Sequence, residues 1–293
     1  MLFKIGSQGS EVKKIQTLVG VKADGIYGRN TAAAVARWQE ENGLSADGLV
    51  GTRTWEAMFP ASTDGSERSF KTDNGLHIEN YFLSKGEYKP GPTEKEFLFI
   101  HHTAGWHNPY KVIDGWERDK RGEIATEFVI GGQSVKGNSD EYDGLVLKAF
   151  PREGYAWHLG KNGSQYMHTH SVGIEVCNFG WINEGKTYAG TRVVVEQLVH
   201  LAVPFRGYDT WHRYSEEQIE SLRKLILFVA ERDNINVREG LVSEIKAKGH
   251  KGFEYNEDAF YGRIKGLWTH TNIRKDKYDM FPQEELLQML VEL

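Results

Sequence analysis

A single cysteine, Cys177, stands in 293 residues, so neither a disulfide framework nor a Cys-rich zinc site is available. No apolar run approaches the roughly 18 residues of a membrane span, so insertion into a bilayer is not expected. The opening "MLFKIGSQGS" lacks the apolar core of a secretory signal, so the chain is expected to be made in a cytoplasm without an export signal of its own. A basic excess is missing too. The net charge is −5, and the first sixty residues carry 7 Lys/Arg against 6 Asp/Glu. Neither part of the chain has the electrostatic footprint of a nucleic-acid binder.

What is present is ordinary soluble-protein composition, 39% hydrophobic and 26% charged, at a length that suits two domains. Aromatics are plentiful, with 8 Trp and 13 Tyr. They suit stacking on sugars or peptides, but composition alone favours a Trp-rich core.

Residues 1–60 read as three short helices separated by turns. Val12, Ile15, Leu18 and Val19 keep helical spacing behind "GSQGS". A second helix is predicted from Asn30 as N-cap through Val35 and Trp38 to a stop at Gly43. A third begins near Thr52 and carries Trp55 and Phe59. Between them lie "ADGIYG" and "ADGLVG", two Asp-Gly turns of similar design. Taken alone, this is a helical bundle compatible with many tasks. The run "GSQGSEVKKIQTLV…DGIYGRNTAAAVARWQEENGLSADGLVGTRTWEAM" resembles, over nearly all of 1–60, the type 1 peptidoglycan-binding domain.

Residues 61–75, "ASTDGSERSFKTDNG", have little to bury and read as a linker. Residues 76–293 alternate strand-like and helix-like segments, which predicts an α/β domain with a mixed central sheet flanked by helices. Strands are expected at 96–101, 126–131, 144–150 and 172–178. The clearest helix is 215–232, where Ser215 and Gln218 form a capping box and Ile219, Leu222, Leu225, Ile226 and Val229 line one face.

A lone histidine is usually structural or solvent-facing. His101 stands out because it ends the apolar run "FLFI", where a rigid strand can fix a ligand. His270 also follows an apolar run, "IKGLW", and Asp279 comes nine positions later, with Lys277 between them. Imidazole and carboxylate suit Zn²⁺, and three protein ligands would leave a fourth position for water. By spacing alone, the second segment reads more readily as a polar loop of mixed charge.

The ordered motifs "IHHTA" at 100–104, "AWHLG" at 156–160, "SVGIEV" at 171–176 and the final His…Lys-x-Asp together resemble the zinc-dependent N-acetylmuramoyl-L-alanine amidases of type 2. That family includes the animal peptidoglycan recognition proteins and several amidase-type phage lysozymes. The resemblance runs from about 96 to 282, with an insertion at about 180–214 that carries no readable motif. It implies that His101, His270 and Asp279 hold Zn²⁺, with Asp276 as an alternative to Asp279. It implies Glu175 as general base and Lys277 as stabiliser of the transition state. It places His158 near the substrate cleft and makes Thr103 a substrate neighbour. His102 would either support the metal ligand or face substrate. Where many members carry a small or aromatic residue and then His, this chain has Thr126 and Glu127. A proton-transfer role there would pass to Glu175, or to Glu127. Cys177 lies on the "GIEVC" strand and is read as a buried structural thiol.

The resemblance therefore implies hydrolysis of the amide between N-acetylmuramic acid and L-alanine, by a monomer whose partner is peptidoglycan and whose site of action is the cell wall or periplasm. A wall-binding module ahead of the catalytic domain resembles phage endolysins. The alternatives are a bacterial autolysin or wall-recycling amidase, and a non-catalytic recognition protein. The last is disfavoured because Asp279 is present.

Overall fold

A computed structural model describes residues 2–59, 69–160 and 163–293. The chain forms two compact units that divide between Arg68 and Ser69.

The first unit contains β1 (Leu2–Phe3), α1 (Ser10–Leu18), α2 (Arg29–Glu41), β2 (Val50–Gly51) and α3 (Thr52–Met58). The short strands pair antiparallel, and Val12, Ile15, Tyr27, Val35, Val50 and Met58 form the core. Helix α2 starts one residue before the expected cap: Gly28 is its N-cap and Asn30 lies inside it. The two Asp-Gly turns are held by duplicate networks 23 residues apart. The Gln16 amide nitrogen reaches Asp24 Oδ1 (2.8 Å), Ile26 O (3.0 Å) and Thr31 Oγ1 (3.1 Å), while its oxygen accepts from Gly25 N (2.8 Å). Gln39 repeats this with Asp47, Leu49, Thr54 and Gly48 at 3.0, 2.8, 3.0 and 2.9 Å. Each buried glutamine satisfies backbone groups that a turn cannot pair by itself. Gly48 must be glycine: its φ is +65°, and a Cβ would sit 2.8 Å from Ala32 O.

The second unit is α/β. Its elements are β3 (Ser69–Lys71), β4 (His77–Asn80), β5 (Lys89–Pro90), β6 (Phe97–His102), α4 (Pro109–Trp116), β7 (Phe128–Ile130), β8 (Val146–Lys148), β9 (Gly154–Tyr155), α5 (Gln165–Thr169), β10 (Ser171–Val176), β11 (Leu198–Phe205), β12 (Tyr208–His212), α6 (Glu216–Asp233), α7 (Leu241–Lys248), α8 (Glu257–Phe260), β13 (Gly266–Thr269), α9 (His270–Ile273) and α10 (Glu284–Val291). The expected linker is shorter at its far end: Ser69–Lys71 is an edge strand paired with β4, and residues 61–68 lie outside the described residues.

A seven-stranded mixed sheet runs in the order β13-β6-β10-β7-β8-β4-β3. Its first four strands are parallel, and β6 is buried along its whole length. Such a doubly covered strand reads as a continuous apolar run, as "FLFI" does. One face packs under α6, where Leu222, Leu225, Ile226 and Val229 meet Phe128, Ile130 and Val146. The other packs under α4, where Ile113 meets Val129, Leu147 and the buried Cys177. Helix α6 carries the predicted capping box: Ser215 Oγ accepts from Gln218 N at 3.0 Å, and Gln218 Oε1 accepts from Ser215 N at 3.2 Å.

Candidate metal centre and cleft

Parallel register builds the site. Strand β6 pairs with β10 so that His101 lies opposite Glu175, and with β13 so that Thr269 lies opposite Ile100. His270, the next residue after Thr269, therefore comes up beside His101. Three side chains distant in sequence form one row at the carboxyl ends of adjacent strands. In open α/β sheets, this is the end where ligand clefts form.

The strand β13 stops at His270 because α9 begins there. Thr269 N donates to Asn272 Oδ1 at 3.0 Å, and Asn272 Nδ2 donates to the carbonyls of Gly252 and Glu254 at 2.8 Å each. These bonds turn the chain sharply. Asp279 is set by its successors: Met280 and Phe281 are fully buried, and the Phe281 ring stacks between Trp211 (4.4 Å) and Tyr214 (4.6 Å).

His101 and His270 each turn Nδ1 toward one oxygen of Asp279, Oδ2, at 3.3 and 3.0 Å. Each residue thus offers a donor atom, and the three donors lie within 4.8 Å of one another. All three residues are buried. Burial pushes the His101 imidazole down to about 4, against the pull of Asp279, so it is neutral at physiological pH. Burial opposes ionisation of Asp279, but His270 and His101 overcome it and hold the carboxyl well below its usual range. His270 Nε2 is buried with no hydrogen-bond partner among the described residues. Neutral imidazole, ionised carboxylate and an orphaned ring nitrogen are the donor chemistry a divalent cation such as Zn²⁺ uses. Asp276 is not among the donors. Its side chain is 64% exposed and is held by Arg274 at 2.6 Å.

His101 Nε2 lies 3.1 Å from His158 Nδ1, and His158 Nε2 lies 2.8 Å from Ser171 Oγ. Both nitrogens of His158, expected near substrate, are thus committed within the protein, although its ring lines the cleft. It orients His101, as partners of metal-binding imidazoles do. Ser171 was not foreseen: nothing marks a strand-opening serine until the fold sets it beside His158.

The cleft measures about 460 Å³ and exposes His101, Glu175, His270, Lys277 and Asp279 to one space. Thr103 lines it too, with its hydroxyl bound to the Asn178 carbonyl at 3.3 Å. Glu175 is half-buried there, and its carboxylate makes no hydrogen bond to another described residue. Burial and then the charge of Asp279 push it well above the ordinary carboxyl range, with Lys277 pulling the other way. His102 leaves the strand on the opposite face from His101. Its Nδ1 bonds Tyr214 Oη at 2.7 Å, its ring sits 6.2 Å from that of Phe281, and burial pushes it down to about 4. It supports the floor of the cleft.

Thr126 and Glu127 part company. Thr126 lines the cleft, while Glu127 is absent from its lining. Glu127 is buried against Arg232 (2.6 and 3.0 Å) and 3.6 Å from Lys148. Desolvation works against its charge, yet Arg232 and Lys148 keep it below the normal range. A carboxylate held this way is a member of a buried ion-pair cluster and does not face the cleft.

The profile of the N-acetylmuramoyl-L-alanine amidase family matches residues 91–265, more than half of the chain. The chain belongs to this family. The amidase match covers His101, His158 and Glu175 and ends before His270. A putative peptidoglycan binding domain matches residues 8–58, the helical first unit. A probable N-acetylmuramoyl-L-alanine amidase of Bacillus licheniformis is 34% identical over 96 residues, covering 29% of this chain and 27% of the relative. The chain thus spans about a quarter of that amidase's length. Among solved structures, a fused Zn-dependent amidase/peptidase/peptidoglycan-binding domain-containing protein of Clostridium acetobutylicum is 31% identical, over 25% of this chain and 36% of that one, with a TM-score of 0.20. The amidase LysC of Clostridium intestinale is 15% identical over 72% of this chain and 97% of its own, with a TM-score of 0.37.

Proposed function

We propose that this chain is a zinc-dependent peptidoglycan hydrolase that cleaves the amide between N-acetylmuramic acid and L-alanine, acting as a phage endolysin. The observation that carries the reading is the convergence of His101, His270 and Asp279 in a cleft that also holds Glu175 and Lys277.

His101, His270 and Asp279 would hold the metal, with His158 and Ser171 fixing His101. When bound, Zn²⁺ supplies Lewis acidity toward a carbonyl oxygen and an acidified water. The protein's own groups do the rest. Glu175, with its raised proton affinity, takes a proton from the attacking water and returns it to the departing amine. Proton transfer of this kind contributes about 10²–10⁴-fold. Lys277, on the cleft wall, places positive charge where the amide oxygen becomes anionic. The helical unit would tether the enzyme to the wall and raise the local substrate concentration. The endolysin reading rests on the family resemblance and on the order of a wall-binding unit ahead of the amidase unit.

Purified chain incubated with peptidoglycan sacculi tests this. New L-alanine amines without new reducing ends, lost on chelation and restored by Zn²⁺, are expected. New reducing ends would mean a glycosidase. Wall binding without cleavage would mean a recognition protein.

A further inference from the structure

The insertion at 180–214 contains the hairpin β11–β12, whose tip has an unusual residue. Phe205 pairs with Tyr208, so Arg206 and Gly207 form a two-residue connection, with φ of 53° and 87°. Two left-handed central residues are the geometry that favours Asn-Gly or Asp-Gly. A Cβ disfavours this conformation, and arginine has no local hydrogen bond to offset it. Its use lies in its side chain.

That side chain is only 13% exposed. It leaves the hairpin and enters the segment that carries His270, Lys277 and Asp279. Arg206 Nη1 donates to the Lys275 carbonyl, and Nη2 donates to the Thr271 carbonyl at 3.1 Å. Thr271 N in turn donates to the Asp279 carbonyl at 3.1 Å. The Thr271 carbonyl belongs to the four-residue helix α9 and the Lys275 carbonyl to the turn after it, and neither has a following helical turn to pair it. A guanidinium fork can hold both at once, which an ammonium cannot. Next to it, Tyr208 stacks on Trp181 (4.5 Å) and meets Tyr278 edge-on (5.8 Å). The hairpin grips the segment at both ends of the turn and along its flank.

We propose that Arg206 is a positioning residue for the metal site: the hairpin fixes the backbone of 271–279, and so the spacing of His270 and Asp279. The inference rests on the reading of these residues as zinc ligands. It gives the insertion a task that its sequence does not disclose.

The test is the zinc dissociation constant of the full chain, measured by competition with a chromogenic chelator. Arg206→Asn is the telling variant, because asparagine suits the left-handed turn and keeps the hairpin folded, which circular dichroism checks. It is expected to weaken zinc binding by about 10- to 100-fold, the usual cost of losing an outer support of a metal site. Arg206→Lys should fall between it and the parent. Arg213→Ala, which removes a pair with Glu285 (3.0 Å) one residue past the hairpin and touches neither Thr271 nor Lys275, should leave zinc affinity unchanged. A folded Arg206→Asn chain that binds zinc as the parent does would overturn the proposal. So would an equal loss in Arg213→Ala, which would point to general loosening. A parent chain that takes up no zinc would instead refute the ligand assignment.

Discussion

Glu175→Gln separates chemistry from stability in a single substitution. The amide has the size and shape of the carboxyl, and the carboxylate makes no hydrogen bond to another described residue that the change would break. It removes a proton acceptor from the cleft. Loss of a positioned acid–base group costs about 10²–10⁴-fold in rate, or about 3–5 kcal/mol of transition-state stabilisation. The loss should appear in kcat with little change in KM, since many other residues line the cleft. Stability should move the opposite way. Burial and Asp279 raise the Glu175 carboxyl well above its ordinary value. The folded chain therefore holds this proton more tightly than the unfolded chain does. Its contribution to stability is full below the unfolded value, about 4.3, and is lost as pH rises toward the folded one. At pH 7, where the unfolded carboxyl is ionised, the parent bears the cost of burying this group and the Gln variant does not. Chelated Glu175→Gln protein should thus melt higher than the parent at pH 7, with the gap closing near pH 4. Release of L-alanine amines from sacculi gives the rate, and melting curves at the two pH values give the rest. Near-parental hydrolysis, or a lower melting temperature at pH 7, would refute the reasoning.

Glu127→Gln should do the reverse, because it leaves buried Lys148 without its carboxylate and Arg232 with Asp233 alone. Denaturant titration should show a loss of about 3–5 kcal/mol, with activity per folded molecule unchanged. The imidazole of His101, held down to about 4, should make the chelated chain lose stability as pH falls from about 6.5 to about 4. His101→Asn should flatten that slope in melting curves across this range. Gly173→Ala would place a methyl group 2.7 Å from Thr126 Cγ2 and 3.0 Å from His158 Nδ1. It should cost about 1–3 kcal/mol and, by pushing His158 off His101, lower zinc affinity in the same chelator competition.

Much of this protein is local and therefore legible in the chain. Helix α6 announces itself through Ser215, Gln218 and a stripe of aliphatic residues, because capping and periodicity act within a few residues. The Asp-Gly turns of the first unit are equally local. So is the apolar run that makes β6 a buried strand, ending in a histidine. Motif order was enough to name the family and to nominate His101, His270, Asp279, Glu175 and Lys277.

Other features were decided only in three dimensions. Glu127 and Glu175 are both acids near the ends of strands, yet one is locked to Arg232 and the other opens onto the cleft. Asp276 and Asp279 lie three residues apart, and burial of Met280 and Phe281 turns the second inward while Arg274 keeps the first in solvent. Ser215 and Gln218 could find each other across one helical turn; His101, Glu175 and His270 could not. Their meeting depends on the parallel register of β13, β6 and β10, and on an arginine arriving from a hairpin 65 residues before its partner Thr271. The pieces were readable along the chain, because propensity, capping and burial pattern are short-range. The tertiary structure decided the site, because register and packing are set by the whole sheet at once and leave no mark at any single position.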